Sequence, residues 1–187
     1  LVAVAVELPV VELARLGAVP ALAVVHDDVV DHHRLDAHLV VAVGEGLLRA
    51  LHATYLSFLP AEAFAYTVPV HGDPRGVFVE MLKTADSGQF SYFTAHPGIT
   101  RGEHYHHTKT EKFMVIRGKA HFGFRNIDTG EVFELVVDGG EGRIVETIPG
   151  WAHNITDVGQ DELICMLWAN EIFDRARPDT IAAKVLS

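Results

Sequence analysis

The chain changes texture along its length. From Leu47 to Pro60, LLRALHATYLSFLP places apolar residues at helical spacing, with Leu47, Leu48, Leu51, Tyr55 and Leu56 on one side. Pro60 closes or follows that helix. From Tyr66 onward the pattern turns to short apolar runs separated by Gly, Asp and Pro. It predicts strands near 66–70, 76–83, 89–95, 112–117, 119–126, 131–137, 143–148 and 162–169. Turn signals stand at Gly72-Asp73-Pro74, His96-Pro97-Gly98, Asp128-Thr129-Gly130, Gly139-Gly140 and Pro149-Gly150. Many short strands with no long helix between them predict an all-β fold, an antiparallel sandwich or a small barrel.

The first 53 residues are of another kind. They use only Leu, Val, Ala, Glu, Pro, Arg, Gly, His and Asp, all of which have codons beginning with G or C. Such an alphabet is expected from translation outside the natural reading frame or from appended sequence; a Val/Ala-rich remnant of a neighbouring domain is the alternative. The chain begins with Leu, which is not expected to be a natural start. The expected organisation is therefore an atypical segment at 1–46, a helical connector at 47–64 and an all-β domain at 65–187. His26, His32, His33 and His38 lie in the atypical segment and are not counted as ligands.

Composition narrows the function classes. A chain of 187 residues fits one domain, with or without a partial neighbour. A formal charge of −10 argues against non-specific nucleic-acid binding. No apolar run approaches the roughly 18 residues of a membrane span, and no basic stretch followed by an apolar core marks a secretory signal. The lone Cys165 excludes an intrachain disulfide and points to a reducing, cytoplasmic setting.

The chemistry concentrates in Gly98-Ile99-Thr100-Arg101-Gly102-Glu103-His104-Tyr105-His106-His107, followed by Glu111 and Gly118. Residues two apart on a strand share a face, so His104 and His106 can grip one ion. A turn through Thr108–Thr110 could return Glu111 from the next strand, and Gly118 permits the tight turn after it. Two imidazoles and a carboxylate suit a borderline divalent metal such as zinc. His153, just past Pro149-Gly150, is the expected fourth ligand. The plain alternative is a partly exposed hairpin whose histidines bond to backbone.

The spacing Gly-x5-His104-x-His106-x4-Glu111-x6-Gly118 resembles the first motif of the cupin family. The second motif is looser: Pro149, Gly150 and His153 are present, but Asp157 stands where the family has Asn. The resemblance covers roughly residues 65–187 and implies a double-stranded β-helix, or jelly roll, preceded by a short helical segment. Asp73-Pro74-Arg75-Gly76-Val77-Phe78 and Arg101-Gly102-Glu103-His104-Tyr105 resemble segments of cupins that epimerise 4-keto nucleotide sugars. Trp168-Ala169-Asn170-Glu171, Phe173-Asp174 and Pro178-Asp179-Thr180 resemble the tail of the C-terminal cupin domain in bifunctional capsular-polysaccharide enzymes. Those enzymes join a reductase to a zinc cupin on the route to UDP-N-acetyl-L-fucosamine.

This resemblance implies a metal-dependent epimerase acting at carbon 3 of a UDP-4-keto-6-deoxy-N-acetylhexosamine. Metal is expected on His104, His106, Glu111 and His153, and Arg75 and Arg101 are the candidates for the substrate diphosphate. With His104 given to the metal, the base stays open among His107, Lys112 and a metal-bound hydroxide. Strict alternation would turn His107 away from the ligand face. Reductase activity is not expected, since no Gly-x-x-Gly-x-x-Gly loop occurs. An iron or manganese oxygenase and a non-catalytic nucleotide-sugar-binding module are the competing classes. Pairing through an edge strand or the connector would make a homodimer.

Overall fold

The computed structural model describes residues 45–84 and 87–186, so the expectation for residues 1–44 falls outside the described residues. The chain divides into two compact units at Thr67–Val68. In the first, helix α1 spans Gly46–Ser57 and a 3-10 turn follows at Ala61–Phe64, with Pro60 as the extended residue before it. Leu51 and Tyr55 are half-buried, whereas Leu47 and Leu56 are exposed.

The second unit is built from β1 (Val70–Asp73), β2 (Gly76–Thr84), β3 (Gly88–Ala95), β4 (Thr100–Tyr105), β5 (Glu111–Arg117), β6 (Lys119–Asn126), β7 (Val132–Asp138), β8 (Ile144–Thr147), β9 (Trp151–Asp157), β10 (Leu163–Ala169) and β11 (Ile181–Ala182). They form two antiparallel sheets, ordered β1-β2-β3-β10-β5-β8 and β11-β4-β9-β6-β7. This is the expected jelly roll.

Alternation along each strand fills the space between the sheets. Phe113 and Val115 on β5, Ala120, Phe122 and Phe124 on β6, and Leu163 and Cys165 on β10 are buried together. Phe113 meets Phe93 and Phe122 edge-on at ring-centroid distances of 6.3 and 5.9 Å. Each such ring contributes roughly 1.5–3 kcal/mol by leaving water. Burial pushes the Cys165 thiol up to about 12, so it packs as a small apolar group rather than a nucleophile.

The strand pattern departs from expectation in two ways. The strand expected at 66–70 begins only at Val70, because the two-residue turn Pro74-Arg75 pairs Asp73 with Gly76 and fixes β1 opposite the start of β2. Strands β4, β9 and β11 are missing from the strands predicted by apolar pattern, and β4 was expected only through the His104-x-His106 pair. TRGEHY and WAHNITD are too polar to show an apolar alternation, although β9 has buried inner residues and those of β4 are half-buried. The turn expected to return Glu111 is also different in kind. β4 and β5 belong to different sheets, so residues 106–110 cross from one layer to the other.

Candidate metal centre

β4 and β9 are neighbours, and His104 stands directly opposite His153. Reaching that register takes an irregularity. Arg101 pairs with Ile155 and His104 with His153, so three residues on β4 advance against two on β9. The extra residue makes a bulge at Gly102-Glu103, with both residues at positive φ, 96° and 61°. Only glycine fits at position 102, where an added Cβ would lie 2.8 Å from the His153 carbonyl oxygen. Glu103 is held in its strained conformation by its carboxylate, which accepts Asn154 Nδ2–H at 2.7 Å and the Val185 N–H at 3.0 Å. Without the bulge, alternation from Arg101 would aim Glu103 inward in place of His104.

His106 lies one residue past β4, and Glu111 opens β5 in the other sheet. One ligand atom from each of His104, His106, Glu111 and His153 lies within 4.8 Å of all the others. His106, Glu111 and His153 are buried and His104 is half-buried. Glu111 Oε2 is 3.2 Å from His106 Nε2 and 3.3 Å from His153 Nε2. Its other oxygen takes the Lys109 ammonium at 2.8 Å. Burial alone would raise the Glu111 carboxyl, but hydrogen bonds from the His106 and His153 rings in their protonated form, together with the Lys109 charge, outweigh it and hold the group well below the usual range. Burial, assisted by the His153 imidazole, pushes His104 down to about 4, so its ring is neutral near pH 7.

The donor set fits a divalent cation. His106 Nδ1 contacts the Asp179 carbonyl, and His153 Nδ1 lies 3.3 Å from the Trp151 carbonyl. A carbonyl only accepts, so each Nδ1 carries a proton, and in the neutral ring each Nε2 turns a lone pair toward the Glu111 oxygen. His153 Nε2 is buried and has no hydrogen-bond partner among the described residues. Acceptors converging on acceptors call for a positive charge between them. These four residues could therefore hold one metal ion.

The cluster opens on a cavity of about 170 Å³, whose walls are mostly apolar, with Phe78, Phe93, Phe113, Phe122, Ile155 and Leu167 among them. Arg101 also lines it. Its guanidinium sits 5.5 Å from the Phe93 ring centroid, and Nε donates to the Thr94 carbonyl at 2.9 Å. Nη2 is buried with no partner among the described residues. Burial lowers the Arg101 pKa, yet guanidinium remains a cation.

The other expected site residues stand elsewhere. Arg75 is exposed and binds Asp73 through two nitrogens, with Nη2–Oδ2 at 2.6 Å. Lys112 follows Glu111 on β5, so alternation turns it outward, where its ammonium pairs with Glu146. His107 is exposed; its backbone N–H is held by Asp179 and its ring lies edge-on to Tyr105 at 5.4 Å. Among the described residues, the only titratable ones lining the cavity are Arg101, His104, Glu111 and His153. Neither candidate base is on that wall. Lys109, next to Glu111, was missed in the sequence. A single lysine in a polar loop carries no signal that its ammonium is buried.

The model of the polysaccharide biosynthesis C-terminal domain matches residues 71–181, which include the whole cluster. The chain belongs to this family. A Pseudomonas aeruginosa protein described as UDP-2-acetamido-2,6-beta-L-arabino-hexul-4-ose reductase is 66% identical over 143 residues, 76% of this chain and 38% of that protein. The capsular polysaccharide assembling protein CapF of Staphylococcus aureus superposes with a TM-score of 0.72 at 41% identity, covering 74% of this chain and 40% of CapF. A further CapF structure, with the inhibitor 3-isopropenyl-tropolone, gives 0.71 at the same identity. The chain thus spans about two fifths of the length of these relatives. Oxalate decarboxylase of Bacillus subtilis, at 18% identity and a TM-score of 0.52, shares the fold alone. This family membership and the cupin fold agree with the resemblance carried by the histidine motif. No helix among the described residues is long and apolar enough to cross a membrane.

Proposed function

We propose that this domain epimerises carbon 3 of a UDP-4-keto-6-deoxy-N-acetylhexosamine during synthesis of a capsular nucleotide sugar. In this reading His104, His106, Glu111 and His153 hold zinc. The single observation that carries it is a four-ligand cluster opening on an apolar cavity whose wall also holds an unpartnered guanidinium nitrogen. The name of the Pseudomonas relative supports the substrate class, because a hexul-4-ose carries its ketone at carbon 4. A proton on carbon 3 is acidic only because that ketone can take up the charge as an enolate. An ion in the cluster would supply Lewis-acid stabilisation of that oxygen, worth several kcal/mol.

The chain's own residues bind and orient the substrate. Arg101 lines the cavity and its buried Nη2–H has no partner among the described residues, so in this reading an anionic oxygen of the substrate satisfies it. The Phe78, Phe93 and Phe113 side chains exclude water and strengthen that contact. Arg75, exposed and near enough for its charge to depress the Arg101 pKa, is the second candidate for the diphosphate. The proton leaves one face of carbon 3 and returns to the other, so no redox cofactor is consumed. A homodimer and a cytoplasmic setting belong to the same reading.

The test is solvent exchange. With 4-keto substrate in deuterated water and no NADPH, the zinc-loaded protein should place deuterium at carbon 3, and Glu111→Gln should abolish it. Tight UDP-sugar binding with no exchange under any divalent metal would turn the assignment to a binding module.

A further inference from the structure

Two ligands of the cluster, His106 and Glu111, are joined by residues 107–110, and the tail after β10 holds this loop. Asp179 Oδ1 accepts the backbone N–H of His107 at 2.9 Å. Its Oδ2 accepts the N–H of Thr108 at 2.8 Å and of Lys109 at 2.9 Å, together with the Thr108 hydroxyl at 3.0 Å. Asn170 Oδ1 accepts the N–H of Thr110 at 3.0 Å, and the Asn170 N–H donates to the Thr110 carbonyl at 3.1 Å. Every backbone N–H between the two ligands therefore ends on a tail side chain. Three successive N–H groups converging on one point form an anion-binding nest, here filled by the protein's own carboxylate.

Asp179 also reaches the ligand set, directly and through Lys109. The Asp179 carbonyl accepts His106 Nδ1–H, which leaves Nε2 as the lone-pair nitrogen. Lys109, whose N–H sits on Asp179, places its ammonium on Glu111 Oε1 and leaves Oε2 for the cluster. The tail is itself fastened. β11 pairs with β4 at Tyr105 and His104, and Arg125 donates to the Lys184 and Val185 carbonyls. Val185 is buried.

We propose that Asp179 and Asn170 are positioning residues of the metal centre. They clamp the crossover between the sheets, so that His106 and Glu111 meet one ion without an ordering cost at binding. The inference takes its ligand from the metal reading above and goes beyond it by assigning the tail. A crossover loop with no ladder of its own has nothing else to fix its N–H groups.

The experiment uses the full chain loaded with Co(II) or Zn(II). Asp179→Ala keeps the carbonyl on His106 but removes the carboxylate that anchors the loop amides, and should bind either ion about 10- to 100-fold more weakly, the range for lost outer-shell partners. It should also shift or weaken the visible Co(II) bands while the far-ultraviolet spectrum of the fold is kept. Asn170→Ala should change both readings less, and Asp174→Ala should change neither, since Asp174 bonds only within its own turn to Ala176 and Arg177. Amide hydrogen exchange on the wild-type chain gives a measurement independent of any variant's folding, with the 107–110 amides expected to be protected. Unchanged affinity and Co(II) bands in Asp179→Ala, or unprotected 107–110 amides in the wild type, overturn the clamp. Failure of the wild type to bind metal sinks the metal reading instead, and amide protection, with its loss in Asp179→Ala, then decides the clamp alone.

Discussion

On β5, Glu111 and Lys112 are adjacent in the chain and meet opposite surroundings. Glu111 is buried among two imidazoles and the Lys109 ammonium, while Lys112 stands on the outer face in a pair with Glu146. The arginines divide in the same way. Arg101 is inside with an unpartnered nitrogen, and Arg75 is outside with both of its carboxylate contacts satisfied by Asp73. Outside, opposite charges find each other within a few residues and water screens what remains. Inside, a charge is tolerated only when a partner is fixed by the fold or brought by a ligand. The unpartnered nitrogen in the cavity therefore carries more functional information than any of the satisfied surface pairs.

The comparison breaks first at the cluster. Replacing His104 and His106 together with Ala should take metal from near one equivalent per chain to near none with the strand content kept. Elemental analysis showing full retention would overturn the ligand assignment. Next in size is Arg101→Met. A charge-assisted hydrogen bond contributes about 1.5–3 kcal/mol, so carbon-3 exchange should fall about 10- to 100-fold in kcat/KM. Thermal stability should hold or rise, because the variant removes a buried charge that lacks a full set of partners. A large fall in melting temperature would mean that Arg101 is structural rather than poised for a ligand.

The outer face should respond far less. Lys112→Met loses an exposed pair of about 0–1 kcal/mol and should leave metal content and exchange within about twofold, as should His107→Ala. A loss on the scale of Arg101→Met in either would restore that residue as a base. The smallest effect belongs to Asp73, whose carboxyl is pulled from 3.8 to about 2, chiefly by its hydrogen bonds with Arg75. A carboxyl lowered in the folded state stabilises above its unfolded pKa, and that contribution is lost as pH falls through about 2. Carboxyl NMR should place the Asp73 midpoint near 2 in the wild type and closer to 3.8 in Arg75→Gln.

The Gly98-to-Gly118 spacing was enough to name His104, His106 and Glu111 as a set, because the residue types and separations that ligate a metal are written locally. The apolar alternation of β3, β5, β6 and β10 was equally legible, since burying one face of a strand leaves a period of two in the chain. β4 and β9 left no such trace. Their inner faces carry Arg101, His104 and His153 rather than a continuous apolar row, although both strands lie inside a sheet.

Direction was what only the tertiary structure decided. Arg101 and His104 both reach the cavity because a bulge at Gly102-Glu103 adds one residue, and that bulge is held by Asn154 and Val185, far along the chain. Lys112 and His107, close to the ligand motif in sequence, were two of the candidates for the base and do not line the cavity. Lys109 and Asp179 were given no role, and they contact Glu111, His106 and the loop between them. A sequence fixes which atoms can donate electrons. Which of them face one another depends on positive-φ residues and hydrogen bonds closed over 50 to 80 positions, and no local pattern contains those.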